Sequence, residues 1–308
     1  MIRKAAALSL LLLLTMSLAS FAAPAGLWAQ WILSPEYLSG DTLNAAYGRG
    51  GKLEGPLSFT EGPYGKSWYN FGQNHILIYK GGNEGIALPK DQITVEFWAK
   101  TDSNFSQQGV VNYFQDNGSF ERGFQLGFSN YKVEAGVATA GNQGSTPYLD
   151  YIRASINVGE WYHIAYTYDG KTAKLYVNGR LADQSERVYG PIAYAESASL
   201  VLGAYLDDNE KDHLIGAVRE VRIYSRVLSE AEILASKPGI VEEAKQMANV
   251  KGNSVVIVLE GGKTVNGSLM QVEGDHVLIA LQGGTSTQRI AMMDIIAILP
   301  IRLLTLQF

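Results

Sequence analysis

Between Trp161 and Gln184 the chain reads WYHIAYTYDGKTAKLYVNGRLADQ, three short apolar runs cut by Asp169-Gly170 and Asn178-Gly179. Those dipeptides adopt positive φ at low cost, as tight antiparallel turns require. Trp161–Tyr168 is aromatic and β-branched, and Leu175 and Val177 alternate with Lys174 and Tyr176. Period two predicts a three-stranded meander. The same pattern predicts strands over 67–71, 75–79, 93–101, 109–115, 122–128, 131–138, 198–205 and 214–224. Many short strands with turn signals between them point to a sandwich. Residues 24–66 read as Gly-rich and irregular, and their GRGG at 48–51 lacks the spacing of a phosphate loop. LSEAEILAS (228–236) predicts a helix, with Ser229 as N-cap and Glu232 closing a capping box.

The pattern changes after Lys237-Pro238-Gly239. IVEEAKQMANV (240–250) reads as a helix, and strand signals follow at 253–260, 264–272, 275–281, 286–290 and 293–299. A helix plus five strands in so short a span predicts a small, strongly bent barrel. At the other end, Arg3 and Lys4 precede an apolar stretch from Ala5 to Leu18, and Ser20-Phe21-Ala22 supplies small residues before Ala23. This is the layout of a signal peptide over 1–22, with an uncleaved anchor as the alternative. Domain expectations are therefore a sandwich over 27–236, a helical linker over 237–250 and a barrel over 251–308.

Composition narrows the function classes. There are 33 glycines, 17 tyrosines and only 18% charged residues, which suits a turn-rich all-β protein. The absence of cysteine excludes disulfides, thiolate zinc sites and a Cys nucleophile. Without Arg3 and Lys4 the chain carries 23 basic and 30 acidic side chains, a net charge of −7. An acidic, exported chain is a poor match for nucleic acid or anionic lipid. The predicted location is secreted, periplasmic or cell-surface, with no membrane insertion once the leader is removed.

ITVEFWAKTDS (93–103), EWYHIAYTYDGKTAKLYVNGRL (160–181) and LVLGAYLDDNEKDHLIGAVREVRIYSRVLSEAEI (200–233) resemble the laminin-G-like, concanavalin A-like jelly-roll family. The resemblance implies an all-β fold of two antiparallel sheets, with Trp98, Trp161 and Leu175 in the core. It also implies a scaffold whose members bind glycans, proteins or sulfated polymers through loops, some with Ca²⁺, and a few of which hydrolyse glycans. VVIVLEGGKTVNGSLMQVEGDHVLIAL (255–281) and DIIAIL (294–299) are similar to a small Sm-like or SH3-like barrel. Val277 stands where RNA-binding relatives carry Asn, and Arg289 is followed by Ile290 rather than Gly. Four basic against four acidic residues beyond position 250 give no footprint for RNA, so the barrel reads as a protein-contact or self-assembly unit.

Candidate chemistry follows. Glycoside hydrolysis needs a carboxyl pair flanking the bond. The carboxylate-rich strand of glucanase relatives is missing, and Glu96, alone between Val95 and Phe97, reads as a solvated strand position. His75, His163, His213 and His276 form no metal motif, and His163 reads as a hydrogen-bonded sheet histidine. Asp207, Asp208, Asn209 and Asp212 are candidate Ca²⁺ ligands, against a plain solvated hairpin tip. Arg219 and Gly72 stand where relatives tend to place acids, which weighs against the metal. Sugar recognition stacks aromatic faces beside planar polar groups. Tyr113, Gln115, Asp116 and Asn117 have that mix at a strand end, Tyr148 and Tyr151 in a Gly/Ser/Pro-flanked segment, and Tyr205 before the acidic loop. The expectation is a noncatalytic binding protein for carbohydrate. A structural or adhesive surface protein with a protein partner is the alternative, and a glycan-active hydrolase the third reading.

Overall fold

The computed structural model describes residues 23–62, 65–82, 86–104, 107–141, 148–235, 254–259, 263–273, 276–282, 286–291 and 295–300. Alternation decides the architecture. In Ile93–Thr101 the side chains of Val95, Phe97 and Ala99 enter one apolar cluster, which also holds Phe124, Leu126 and Phe128 of the strand Glu121–Ser129. The Phe97 and Phe128 rings meet edge to face at 6.5 Å. Each fully buried side chain of this kind contributes about 1.5–3 kcal/mol. The two strands belong to different sheets, so the cluster is the filling of a sandwich.

Among the described residues, one sheet has eight strands. Its order is Arg180–Ser185, Ala173–Val177, Tyr162–Tyr168, Ile93–Thr101, Ile215–Tyr224, Gly65–Phe71 and Phe59–Gly62. Leu27–Ile32 pairs with the far half of Ile215–Tyr224. The other sheet has nine, in the order Tyr148–Ser155, Lys132–Thr139, Glu121–Ser129, Gln108–Asp116, Leu200–Leu202, His75–Tyr79, Gly51–Glu54, Thr42–Leu43 and Leu38–Ser39. All these pairings are antiparallel. The two-sheet jelly roll is as expected. So is the meander, whose second turn carries Asn178 at φ 52° and Gly179 at φ 82°. The capping box also forms: Glu232 N donates to Ser229 Oγ (3.3 Å) and Ser229 N to Glu232 Oε2 (2.8 Å), opening the helix Glu230–Ala235.

Several expectations change. Residues 24–66 are not irregular, since six short strands begin between Leu27 and Gly65. The strand Leu27–Ile32 buries Leu27, Ala29 and Trp31 in strict alternation. Tyr148–Ser155, which the sequence marks only as a Gly/Ser/Pro-flanked segment, is a strand. At the C-terminus five strands form as expected, in the order Thr287–Ala291, His276–Leu281, Thr264–Glu273, Ser254–Leu259, Ile295–Pro300. The first and last of these do not pair, so this unit is an open sheet among the described residues and not a closed barrel. The helix expected over 240–250 and the leader over 1–22 lie outside the described residues.

Of the expected core residues, Leu175 lies between the sheets. Trp98 has the opposite parity and faces outward. It packs with Val255, Ile257, Val277 and Ile298 of the C-terminal sheet, and Trp161 joins that cluster.

Candidate functional site

The outer face of the nine-stranded sheet is built by the residues that alternation leaves over. Val111, Tyr113, Leu126, Ala135, Val137 and Ile152 enter the core. Their neighbours face out, and the register sets them in rows. Gln125 lies opposite Asn112 on one side and Gly136 on the other, and Gly136 lies opposite Tyr151. In the next row Gly127 faces Glu134, which faces Arg153. A Cβ on Gly127 would lie 2.1 Å from the Gln108 carbonyl, so only glycine fits there. The result is a shallow, open groove floored by Gly127 and walled by Gln107, Gln125, Glu134 and Tyr151, while the neighbouring Gln108 side chain turns away to Thr101 and the Ile215 amide.

The walls are fixed. The Tyr151 hydroxyl donates to Gln125 Oε1. Arg153 Nε lies 2.6 Å from Glu134 Oε1, and its guanidinium sits 5.0 Å over the Tyr151 ring. Burial, with Glu134 and Glu121 nearby, raises the Tyr151 phenol well above its ordinary pKa. Tyr151 is therefore a neutral, oriented donor at every ordinary pH.

An acidic hairpin lies on the same face, its Tyr205 in an apolar cluster against which Tyr151 packs. The strand predicted over 198–205 breaks at Gly203 (φ 79°), where the chain leaves the sheet. Ala204–Leu206 then pairs with Lys211–His213 and crosses the outer face. Asn112 Nδ2 donates to the Ala204 carbonyl (2.8 Å), and the Tyr205 ring lies 5.6 Å from that of Phe114. The Tyr205 hydroxyl donates to Asp207, whose other oxygen accepts from Asn209 N (2.9 Å) and Glu210 N (2.7 Å). Asp116 is close enough to raise the pKa of Tyr151, Tyr205 and Glu210. Glu121 faces Asp116 across the ladder, and burial first, then Asp116, raises its carboxyl, against the lowering hydrogen bond from Leu149 N.

A family model described as the concanavalin A-like lectin/glucanases superfamily matches residues 73–234, more than half of the chain. The chain belongs to this superfamily. It is 25% identical to pappalysin-1 of Mus musculus over 150 residues, 42% of this chain but only 9% of the mouse protein. The binding domain of Paraclostridial Mosquitocidal Protein 1 has the same fold at TM-score 0.50 and 13% identity, covering 86% of this chain and 70% of that one. Domain 4 of an extracellular arabinanase from Geobacillus stearothermophilus, in complex with arabinotriose, superposes at TM-score 0.47 and 18% identity. It covers 67% of this chain and 96% of that one.

On this superfamily scaffold some of the expected site residues meet and others do not. Tyr151, Tyr205, Asp116 and Asp207 gather on one face. Tyr113 does not join them. It is 3% exposed, its ring packs near Tyr79 and Tyr194, and its hydroxyl donates to the Ala195 carbonyl (2.9 Å). Burial pushes that hydroxyl up to about 12. Parity was misassigned here, because Phe114 and not Tyr113 takes the outer side. Gln115 is buried and spends its amide on the Asp116 carbonyl (3.2 Å). Asn117 accepts from Ser119 N and Phe120 N at the hairpin tip. Tyr205 is 2% exposed and offers a ligand no ring face. Tyr148 pairs with Thr139 at the start of its strand, and its side chain lies outside the described residues. Asp208 and Asn209 are exposed, and Asp207 and Asn209 are tied into the tight turn of the hairpin tip. Among the described residues no three His, Asp or Glu side chains are arranged to hold a metal. Gln107, Gln108, Gln125, Glu134 and Arg153 were not anticipated. For Gln125 and Glu134 the one sequence signal is a polar residue two positions from Gly127 and Gly136 on the same strand; the other three carry none.

Proposed function

We propose that this chain is an exported, noncatalytic carbohydrate-binding protein that seats a sugar residue in the groove beside Tyr151. The observation carrying this reading is the groove itself, a side-chain-free floor between an oriented tyrosine and several planar polar groups. Amides both donate and accept, which suits hydroxyl groups that do the same. The lectin members that give the superfamily its name are consistent with it. Arg153 covers one ring face, so a sugar meets Tyr151 by its edge or its other face. The groove is shallow and open, so affinity per site falls in roughly the micromolar to millimolar range. Export rests on the basic and apolar segments before Ala23.

The test is a glycan array with the mature full chain, followed by calorimetry on a responding oligosaccharide. Tyr151→Ala and Gln125→Ala are expected to weaken binding at least tenfold with the fold intact by circular dichroism. Capture of a protein partner with no response to any glycan would put the adhesive reading in its place. The raised Glu121 carboxyl beside Asp116 favours a second reading, glycan hydrolysis. Release of reducing sugar by the wild type, lost in Glu121→Gln, would establish it.

A further inference from the structure

The opposite face of the sandwich carries an aromatic pair that the groove does not use. Along Gly65–Phe71, Trp68 and Asn70 point inward, so Tyr69 and Phe71 take the outer side of the eight-stranded sheet. Tyr69 pairs with Ala217, and Ala217 pairs with Lys100. Phe71 is 52% exposed. The two rings lie 4.7 Å apart at 66°. Lys100 Nζ stands 5.9 Å over the Tyr69 ring and 2.9 Å from Asp102 Oδ1. The Tyr69 hydroxyl bonds the same carboxylate; burial first, and then Asp102, raise its pKa.

A lone exposed ring needs no explanation. This one is held in place. Asn70 is wholly buried and donates from Nδ2 to the carbonyls of Asn74 (2.5 Å) and Gly203 (2.8 Å). Its Oδ1 accepts from Gly72 N at 2.9 Å. Gly72 has φ 81°, and a Cβ there would come within 2.9 Å of the Ile215 side chain. The turn that presents Phe71 is thus fixed from below, so binding there would cost the protein little backbone entropy.

We propose that Phe71, Tyr69, Lys100 and Asp102 form a second sugar subsite, for a neutral pyranosyl residue. The exposed Phe71 ring takes the C–H face of the sugar. Asp102 accepts from hydroxyls and the Lys100 ammonium donates to them. One positive and one negative charge cancel, so an acidic sugar gains nothing here. The subsite rests on the carbohydrate-binding reading and extends it. Subsites on the outer faces of two packed sheets, each sheet about 10 Å from the other, engage separate stretches of polymer rather than one short oligosaccharide. The protein then bridges neighbouring chains, and two weak sites add to retention on a polymer.

The experiment uses full-length protein with soluble hexaoses of β-1,4-glucan, β-1,3-glucan and β-1,4-xylan, all neutral pyranosyl chains, then the matching insoluble polymers. Calorimetry of the wild type with the responding hexaose is expected to show two sites. Phe71→Ala should leave one, with at least tenfold lower retention on the polymer, and Asp102→Asn should weaken the same site. Tyr151→Ala should remove the other. If Phe71→Ala and Asp102→Asn bind with wild-type stoichiometry while Tyr151→Ala abolishes binding, the second subsite is wrong and the groove stands. If the wild type binds none of the hexaoses or polymers, both readings fall.

Discussion

A buried carboxylate costs several kcal/mol unless a cation and hydrogen bonds replace its water. Arg222 meets that cost for two of them on the eight-stranded sheet. Its Nε lies 2.6 Å from Glu220 Oε1 and its Nη1 3.3 Å from Glu96 Oε1. Gln30 Nε2 donates to Glu220 (2.6 Å), and the Tyr224 hydroxyl to Glu96 (3.3 Å). His163 Nε2 stands 3.6 Å from Glu96 Oε2. Burial opposes the Arg222 cation, yet Glu220 and Glu96 outweigh it and hold its pKa above the ordinary value. Arg222→Met should therefore cost about 3–5 kcal/mol in urea unfolding, because two buried carboxylates lose their cation. A loss below about 1 kcal/mol would mean that water reaches the pair. Glu96 itself corrects the solvated position expected from sequence, for it is 2% exposed. Its setting was not legible in the chain because its partners come from strands 126 residues away, and a single polar residue between Val95 and Phe97 looks the same whether solvent or an arginine faces it. His163 is likewise not the hydrogen-bonded histidine expected: neither of its ring nitrogens has a hydrogen-bond partner among the described residues.

The hairpin Ala204–His213 behaves as an element under charge stress. Burial, and then the charge of Asp207, raises the Asp212 carboxyl above its usual range. Glu210 shifts the same way for the same causes. A raised carboxyl is one whose ionised form folding disfavours. Its cost is full above the folded pKa and is relieved as pH falls through that value. Asp212→Asn is thus expected to raise the melting temperature at pH 7 by about 1–2 °C, the scale of a surface substitution, with the gain vanishing near pH 3. A lower melting temperature at pH 7 would show that the carboxylate supports the hairpin. Where period and turn residues agree, elements were legible: Tyr162–Tyr168 and Ala173–Val177 follow from an apolar run closed by Asp169-Gly170 and Asn178-Gly179. Leu27–Ile32 was harder to read, since its burial alternates but every residue of LWAQWI except Gln30 is apolar, so no period of two shows in the chain. The break at Gly203 was not, because ASLVLGAY reads as one strand until the hairpin that leaves the sheet is seen.

At the scale of the whole molecule, Trp98 decides how independent the two units are. Sequence composition places a boundary near residue 238, yet Trp98 of the sandwich is 2% exposed within the apolar cluster of the C-terminal sheet. Burying an aromatic ring of about 200 Å² is worth on the order of 5 kcal/mol, before the entropy of holding two units together is subtracted. Trp161 is partly covered by the same cluster. The sandwich has a large core of its own, so residues 23–236 alone should still fold cooperatively. Removing the C-terminal sheet, however, uncovers Trp98 and Trp161 on the face where Phe71 is already open. The fragment is expected to melt several degrees below the full chain, with tryptophan emission shifted to the red and increased binding of a hydrophobic dye. Restoring a polar surface with Trp98→Gln in the fragment should remove the dye binding without lowering its melting temperature further. The same Trp98→Gln change in the full chain should separate one melting transition into two, because it strips the shared cluster of its largest side chain. If the fragment and the full chain instead share one melting temperature and one emission maximum, the sheet does not rest on Trp98, and the two units are independent.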